Sequence, residues 1–243
     1  MFTDPVSGKN YFYYGNGFLA VAELNDDMTT IKPNSTSVIT PSGGNLNTYA
    51  YREGAYVFYR NGLYYFLWSV DDTGSANYHV AYGTSTSPTG PINIANQPIV
   101  IIQDPTNNIY GTGHNSIIQI PGRDEWYIVY HRINANYINA DPGTHREICI
   151  DQLNFNPDGT IIKITPTRRG INPVVLDHVE NALSIPEFDN TSDLKLINRQ
   201  IYNFSGQFLG DSIENLKNGL YIIKDTYDNG AVSTKKIFKF ENN

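Results

Sequence analysis

Short aromatic and aliphatic runs, each preceded by a turn, dominate the chain up to Pro173. The three clearest runs span Tyr11 to Tyr14, Tyr64 to Trp68 and Trp126 to His131. Asn61-Gly62 before the second run is a strong signal for a two-residue hairpin turn. The runs recur at intervals of roughly 50 to 60 residues, the range in which propeller blades repeat.

Further strand-like segments fill the intervals between these runs, among them "NYHVAYGTS" and "REICIDQLNF". Helical periodicity is hard to find, and Gly and Pro interrupt the chain too often for long helices. The pattern therefore predicts an all-β fold of short antiparallel strands in blade-like sheets. A β-sandwich is the alternative that the pattern alone leaves open.

The pattern changes near Pro173, where the chain becomes polar and irregular. We assign residues 1–175 to the first β domain and residues 176–195 to a linker. Residues 196–243 contain several short strands joined by Gly turns, which predicts a small separate β module. A module of this size is marginally stable alone, so we expect it to rest on its neighbour.

The composition narrows the class of partner. The 243 residues carry a formal net charge of -7, which argues against nucleic acid as a ligand but not against a neutral polysaccharide. Aromatic residues make up 13%, which suits both strands and stacking on sugar rings. No apolar run approaches the roughly 20 residues that a membrane span needs, and the N-terminus lacks the features of a signal peptide. The single cysteine, Cys149, excludes an internal disulfide and a multi-cysteine metal site, and its alternating strand pattern predicts a buried, unreactive thiol.

Three residues at predicted strand starts are candidates for chemistry. Glu53 precedes a long aromatic strand, so it is either a solvated end residue or a proton donor at the rim of a pocket. A general acid must keep its proton at neutral pH, which requires desolvation or a second carboxylate. His114 follows a Gly-x-Gly sequence that allows close backbone approach, and Arg146 opens a strand, where it is either a surface cation or a group that binds substrate.

Together the segments "EGAYVFYRNGLYYFLWS", "GTGHNSIIQIPGRDEWYIVYHR" and "HREICIDQLNFNPDGTIIKITPTRRGI" resemble family 43 glycoside hydrolases. These are five-bladed β-propellers that act on arabinan and xylan, and the resemblance covers about residues 1–172. It implies that Glu53 is the proton donor in an inverting hydrolysis and that Arg146 contacts the substrate. It also implies that His114 faces a central channel, where many members hold a calcium ion or water, and it implies no organic cofactor.

The chain departs from the family pattern because it shows three hairpin repeats rather than five. The expected fold is therefore an incomplete propeller of about three blades, without the Asp that serves as catalytic base. A second Asp that tunes the acid is expected just upstream of Met1. Asp4 lies close to that place, but Asp followed by Pro is also typical of a turn.

An incomplete propeller leaves sheet faces open to water. We therefore expect the chain to be inactive alone and to self-associate through these faces. The apolar residues expected there are Tyr64, Phe66, Trp126 and Ile128.

The C-terminal segment resembles the sorting module of proteins exported by the type IX secretion system. The resemblance rests on a Tyr-Asn-x-Ser-Gly turn at Tyr202, on "GLYII" and on "KKI" near the end. It implies a secreted or cell-surface protein, whereas the alternative is a small accessory β domain.

Two other functions compete with hydrolysis by a family 43 enzyme. An incomplete propeller that keeps its sugar-stacking aromatics without turnover would be a carbohydrate-binding module. A propeller acting on fructans is the third option, but the Glu-Cys signature typical of such enzymes is missing around Glu53.

Overall fold

The computed structural model describes residues 1–174 and 195–239, which form fifteen β-strands and two short 3-10 helices. The predicted all-β fold is confirmed. The chain divides into two compact units, residues 1–173 and residues 174–243. The linker predicted at 176–195 lies outside the described residues, except for Lys195. No helix in the described part of the chain is long and apolar enough to cross a membrane.

The first unit contains three antiparallel sheets, in which each strand pairs with the next one along the chain. Sheet 1 comprises β1 (Phe2–Thr3), β2 (Asn10–Tyr14), β3 (Ala20–Glu23) and β4 (Ser37–Val38). Sheet 2 comprises β5 (Glu53–Arg60), β6 (Leu63–Val70), β7 (His79–Ser85) and β8 (Asn93–Ile101). Sheet 3 comprises β9 (Tyr110–Gln119), β10 (Trp126–Ile133) and β11 (Arg146–Leu153). The 3-10 helices, Pro105–Asn107 and Ala135–Tyr137, lie in the loops before β9 and β11.

Each of the three aromatic runs forms the second strand of its sheet, so the repeat in the sequence corresponds to one blade per sheet. The turn before β6 has φ values of +50° at Asn61 and +87° at Gly62. Two left-handed residues in succession are what a two-residue hairpin turn requires, and Asn and Gly tolerate that conformation best.

Sheet 2 is covered on both faces because successive side chains of a strand point to opposite sides. Tyr65 and Leu67 of β6 belong to a core cluster shared with sheet 3. Phe66 and Trp68 belong to a second cluster, which is shared with sheet 1. The three sheets therefore stack in chain order as consecutive blades, and the fold is an incomplete β-propeller.

The prediction of which apolar residues lie on open faces was wrong. Tyr64, Phe66, Trp126 and Ile128 are 4%, 1%, 5% and 0% exposed, respectively. Each of them points to the neighbouring sheet and is buried there. The large exposed side chains of sheet 3 lie on the opposite side of its strands and include Ile148, which is 88% exposed. Self-association through such faces stays a prediction.

Cys149 is a free cysteine buried in the core between sheets 2 and 3, as the alternating pattern predicted. Burial raises the pKa of its thiol. The thiol therefore stays protonated and weakly nucleophilic at neutral pH.

Asp4 is a turn residue in the loop between β1 and β2. It is 2% exposed, and its carboxylate accepts hydrogen bonds from the amides of Val6 (3.1 Å) and Ser7 (3.2 Å). The Tyr64 hydroxyl donates a further bond of 2.8 Å. Tyr64 and Ser69 lie at opposite ends of β6, about 17 Å apart at the usual rise per residue. Since Glu53 pairs with Ser69, Asp4 lies well away from the candidate acid.

We expect Asp4→Ala to destabilise the first unit by about 1–3 kcal/mol, since it leaves the buried Tyr64 hydroxyl without its acceptor. Burial opposes ionisation of Asp4, but the hydrogen bonds outweigh it and lower its pKa. Because the folded state then has the lower pKa, the contribution of Asp4 is present above the ordinary value of 3.8. It is lost as the pH falls through the folded-state value. Urea unfolding at pH 7 and at pH 3 measures both effects.

Asp27→Ala is the matched control for this substitution. Asp27 accepts the same kinds of local bond, from the amides of Thr29 and Thr30 and from the Thr30 hydroxyl, but it is exposed. We expect Asp27→Ala to lower the free energy of unfolding much less than Asp4→Ala does. Equal costs for the two substitutions would contradict the role assigned to the buried Tyr64 contact.

The second unit contains one antiparallel sheet with the strand order β13-β12-β14-β15. These strands are β12 (Leu196–Asn203), β13 (Phe208–Gly210), β14 (Gly219–Tyr227) and β15 (Val232–Lys239). Ile201, Tyr221 and Ile223 form its small core. On the same face Arg199 donates two bonds of 2.7 and 2.8 Å to Asp225, which is 2% exposed. These bonds lower the pKa of Asp225 and fix the register of β12 against β14.

Candidate active site

A β-bulge places Glu53 at the end of sheet 2. Glu53 pairs with Ser69, and the register of β5 against β6 shifts just after that pair. Gly54 adopts a φ of +66°. A Cβ atom at Gly54 would lie 3.1 Å from Ser69 Oγ and 3.3 Å from His114 Nδ1. Glycine thus allows the left-handed turn and the close approach of His114, and the bulge directs the Glu53 side chain away from the regular alternation of the strand.

A second register shift occurs in sheet 3, where β9 pairs with β10 around His114. His114 has a φ of +54°, an uncommon conformation for a residue with a Cβ atom. Its backbone amide donates a 2.9 Å hydrogen bond to the hydroxyl of Ser69. Ser69 is fully buried and belongs to sheet 2, so its side chain joins the irregular ends of two sheets.

Tyr78, in the loop before β7, connects Glu53 and His114. Its hydroxyl lies 3.0 Å from Glu53 Oε1 and 3.3 Å from His114 Nδ1. Its ring covers Gly113, where a Cβ atom would approach the ring to 2.3 Å. The ring also stacks on His131, with centroids 5.4 Å apart and planes 16° apart. Burial, together with the neighbouring charge of Glu53, raises the pKa of Tyr78.

Arg146 lies at the same end of sheets 2 and 3. Its side chain is exposed and donates a 3.1 Å hydrogen bond to Thr73 Oγ1, in the loop that follows β6. Its charge adds to the effect of burial in lowering the pKa of His131, and it offsets a small part of the rise in the pKa of Tyr78. The structure thus places Glu53, His114 and Arg146, the three residues singled out from the sequence, around one pair of stacked rings.

His131 is the residue of this group that sequence reasoning missed. Both of its ring nitrogens are buried and have no hydrogen-bond partner among the described residues. Burial, and after it the charges of Arg146 and His114, lower its pKa to about 4, so the ring is neutral at pH 7. The signal in the sequence was a polar residue closing the third aromatic run, "WYIVYHR", which we interpreted only as part of a strand.

The calcium ion expected near His114 finds no ready-made cluster of ionisable side chains among the described residues. Within the described part of the chain, no group of three or more His, Cys, Asp or Glu side chains is arranged to hold a metal ion. Thr112 and Asn115 carry buried polar side-chain atoms that, like those of His131, have no hydrogen-bond partner in the part of the chain that the structure describes. Oxygen atoms are the ligands that Ca²⁺ prefers, so an ion here would depend on water for most of its coordination.

The comparisons with known proteins identify the family of the chain. The family model described as "Glycosyl hydrolases family 43" matches residues 1–161. The chain is 39% identical over 167 residues to β-D-galactofuranosidase xynD from Aspergillus niger. The matched region covers 68% of this chain and 44% of that protein. An arabinoxylan arabinofuranohydrolase from Paenibacillus polymyxa is 24% identical over 187 residues, which is 27% of its length.

Solved structures show the same relationship. A thermostable family-43 glycoside hydrolase superposes with a TM-score of 0.60 at 26% sequence identity. This match covers 71% of the present chain and 58% of the other. The chain thus spans about half the length, or less, of the relatives that it matches. The family model matches residues 1–161 of the 243 residues. This chain therefore belongs to family 43 of the glycosyl hydrolases.

Proposed function

We propose that the first unit carries the general-acid side of an inverting glycosidase site for arabinan, arabinoxylan or xylan side chains. The observation that supports this proposal is the placement of Glu53. A bulge turns its carboxyl group toward Tyr78 and His114, with Arg146 at the same end of the sheets. A carboxyl group in this position can deliver a proton to a glycosidic oxygen, while a neighbouring cation such as Arg146 binds substrate hydroxyls.

In this proposal Glu53 protonates the leaving oxygen and Arg146 orients the sugar. An inverting enzyme also needs a second carboxylate, roughly 6.5–9.5 Å from the acid, to activate water. We expect this base to come from a part of the protein beyond this chain. The prediction that the chain is inactive alone follows from that expectation.

The names of the relatives support a sugar substrate and leave its identity to experiment. The Aspergillus niger relative is named for galactofuranose and the Paenibacillus polymyxa relative for arabinoxylan. We propose arabinofuranosyl or xylosyl groups for this protein, with galactofuranosides as the closest competitor. The calcium ion expected in the channel also stays a prediction, and it would be held largely through water.

The proposal is tested by an assay on arabinan, arabinoxylan and three aryl glycosides, namely arabinofuranoside, xyloside and galactofuranoside. The chain is assayed alone and together with any in-frame coding sequence upstream of Met1. The expected result is hydrolysis by the longer protein, with inversion of the anomeric centre followed by NMR. Failure of both proteins on every substrate would contradict the proposal.

The rival function is a carbohydrate-binding module without turnover. It rests on the aromatic residues, 13% of the chain, which can stack on sugar rings without turnover. Binding of arabinan in affinity electrophoresis, combined with no hydrolysis by the longer protein, would support this rival.

For the second unit we propose a role in export to the cell surface. This proposal rests on the resemblance of its turn and strand sequences to type IX sorting modules. A secreted reporter fused to residues 196–243 tests it in a bacterium that has this secretion system. Retention of the reporter inside the cell would contradict the proposal.

A further inference from the structure

The hydroxyl of Tyr78 has a single proton to donate and three polar neighbours, Glu53, His114 and the hydroxyl of Ser69. Glu53 Oε1 lies 3.0 Å away on one side and His114 Nδ1 lies 3.3 Å away on the other. An ionised carboxylate can only accept hydrogen bonds. While Glu53 is ionised the hydroxyl therefore donates to Glu53, and its oxygen is left to accept from His114 and from Ser69.

This arrangement determines where the proton of His114 is located. A neutral imidazole carries its proton on one of its two nitrogens, and the hydrogen bonds around it select which one. Only Nδ1 faces the Tyr78 oxygen, so Nδ1 must carry the proton for the contact to be a hydrogen bond. Nε2 is then the nitrogen that is left to accept a hydrogen bond.

The arrangement also distinguishes the two oxygens of Glu53. When Glu53 is protonated, its carbonyl-type oxygen still accepts a hydrogen bond, whereas the oxygen carrying the proton donates. Tyr78 continues to donate to Oε1 only if the proton resides on Oε2. In the reverse chain Oε1–H donates to the Tyr78 oxygen and the Tyr78 hydroxyl donates to His114 Nδ1, which requires His114 to carry its proton on Nε2. The tautomer of His114 therefore distinguishes the two chains.

The surroundings keep Tyr78 itself in place. Its ring has no room to move toward β9, since it lies over the bare Cα of Gly113, and it stacks on the buried ring of His131. The backbone amide of His114 is held by the Ser69 hydroxyl at 2.9 Å. Both ends of the contact are thus fixed by packing or by hydrogen bonds that do not involve Glu53.

We infer that Tyr78 is a positioning residue that, with Nδ1-protonated His114 behind it, holds the proton of Glu53 on Oε2, the oxygen that Tyr78 does not engage. The hydrogen-bond chain runs from His114 Nδ1–H to the Tyr78 oxygen and from the Tyr78 hydroxyl to Glu53 Oε1. This inference rests on the proposed acid role of Glu53. The tautomer of His114, however, is a property of the folded chain and can be measured without substrate.

The tautomer of His114 can be determined by long-range ¹H–¹⁵N NMR at pH 7.5 on the protein labelled with ¹⁵N-histidine. His114→Gln assigns the signals by their disappearance. We expect Nδ1 to be protonated in the wild type, and Tyr78→Phe to move most of the proton to Nε2, the nitrogen that free imidazole side chains prefer. A wild-type His114 protonated mainly on Nε2 would overturn the inference even if Tyr78→Phe did not fold.

Tyr56→Phe is the matched control. Tyr56 also donates its hydroxyl across the boundary between sheets 2 and 3, to the carbonyl of Ile117 at 2.8 Å, without touching Glu53. Its loss should leave the His114 tautomer unchanged. A tautomer that responds equally to both substitutions would show that general loosening, rather than the Tyr78 hydroxyl, is responsible.

A second readout separates this inference from the proposed function. In an active preparation, Tyr78→Phe should lower turnover at least tenfold on substrates with poor leaving groups and much less on activated aryl glycosides. Equal loss on both kinds of substrate would overturn the positioning role. If Glu53→Gln left hydrolysis unchanged while the tautomer result held, the proposed function would fail and the hydrogen-bond chain would stand.

Discussion

Glu53→Gln is expected to lower turnover by about 10²–10⁴-fold on natural oligosaccharides, the usual contribution of a general acid. The amide keeps the shape of the side chain and can still accept the Tyr78 bond, but it has no proton to give. Aryl glycosides with activated leaving groups depart without protonation, so their hydrolysis should fall far less. Steady-state kinetics with the active longer protein measures the loss of turnover on each kind of substrate, and the two losses are then compared.

The control for this substitution is Glu23→Gln. Glu23 ends β3 and pairs with Lys9 and Lys32, which are both half-exposed. Exposed ion pairs of this kind contribute at most about 1 kcal/mol to the free energy of unfolding, so the protein should stay folded without this charge. Turnover should therefore change little. An equal fall on both types of substrate after Glu53→Gln would remove Glu53 from the role of acid.

Gly113→Ala is expected to have the largest effect on the structure of the site. The added methyl group would come within 2.3 Å of the Tyr78 ring, and Tyr78 is fully buried. Inserting a methyl group into a close-packed core costs about 1–3 kcal/mol, and more where the neighbours cannot shift. Displacing Tyr78 should also break its contact with Glu53, so stability and the His114 tautomer should change together.

Gly143→Ala is the matched control for the glycine substitution. A Cβ atom at Gly143 would meet only the Cα of Gly74 at 3.8 Å, an ordinary contact, and Gly143 is not left-handed. We expect this variant to unfold at nearly the wild-type urea concentration. If Gly113→Ala behaved like Gly143→Ala, the packing described around Tyr78 would be incorrect.

Local sequence patterns predicted much of the fold and part of the site. Alternation and turn residues identified the strands, and Asn61-Gly62 gave the turn before β6. Glu53 and His114 were singled out because each was predicted to begin a strand in a family-like segment. Glu53 does begin β5, but the prediction for His114 was wrong, since β9 begins at Tyr110 and His114 lies within it at a register shift. Their neighbourhood follows from strand pairing, since Ser69 links them only once sheets 2 and 3 are formed.

The errors and omissions have physical causes. Residues 63–68 of β6 form an unbroken aliphatic and aromatic run, so the sequence pattern cannot distinguish a strand covered on both faces from one with an open face. This is why buried residues were expected on open faces. Tyr78 lies in a polar loop, "DDTGSANYH", and nothing local shows that its ring enters the core. The bulges that redirect Glu53 and His114 depend on register, which is set by the pairing of whole strands.

Seven of the eight residues of β6 are buried, and β6 has a neighbouring strand on each side and a neighbouring sheet on each face. Local opening in proteins begins where buried contacts are few, so the short strands of sheet 1 should open well before β6 does. Ser69 belongs to β6, and it is the residue that holds the Glu53 bulge and the His114 amide. The candidate acid is thus attached to the most protected strand of the unit. Mild heating or a nick in sheet 1 would leave its geometry intact until the whole unit unfolds.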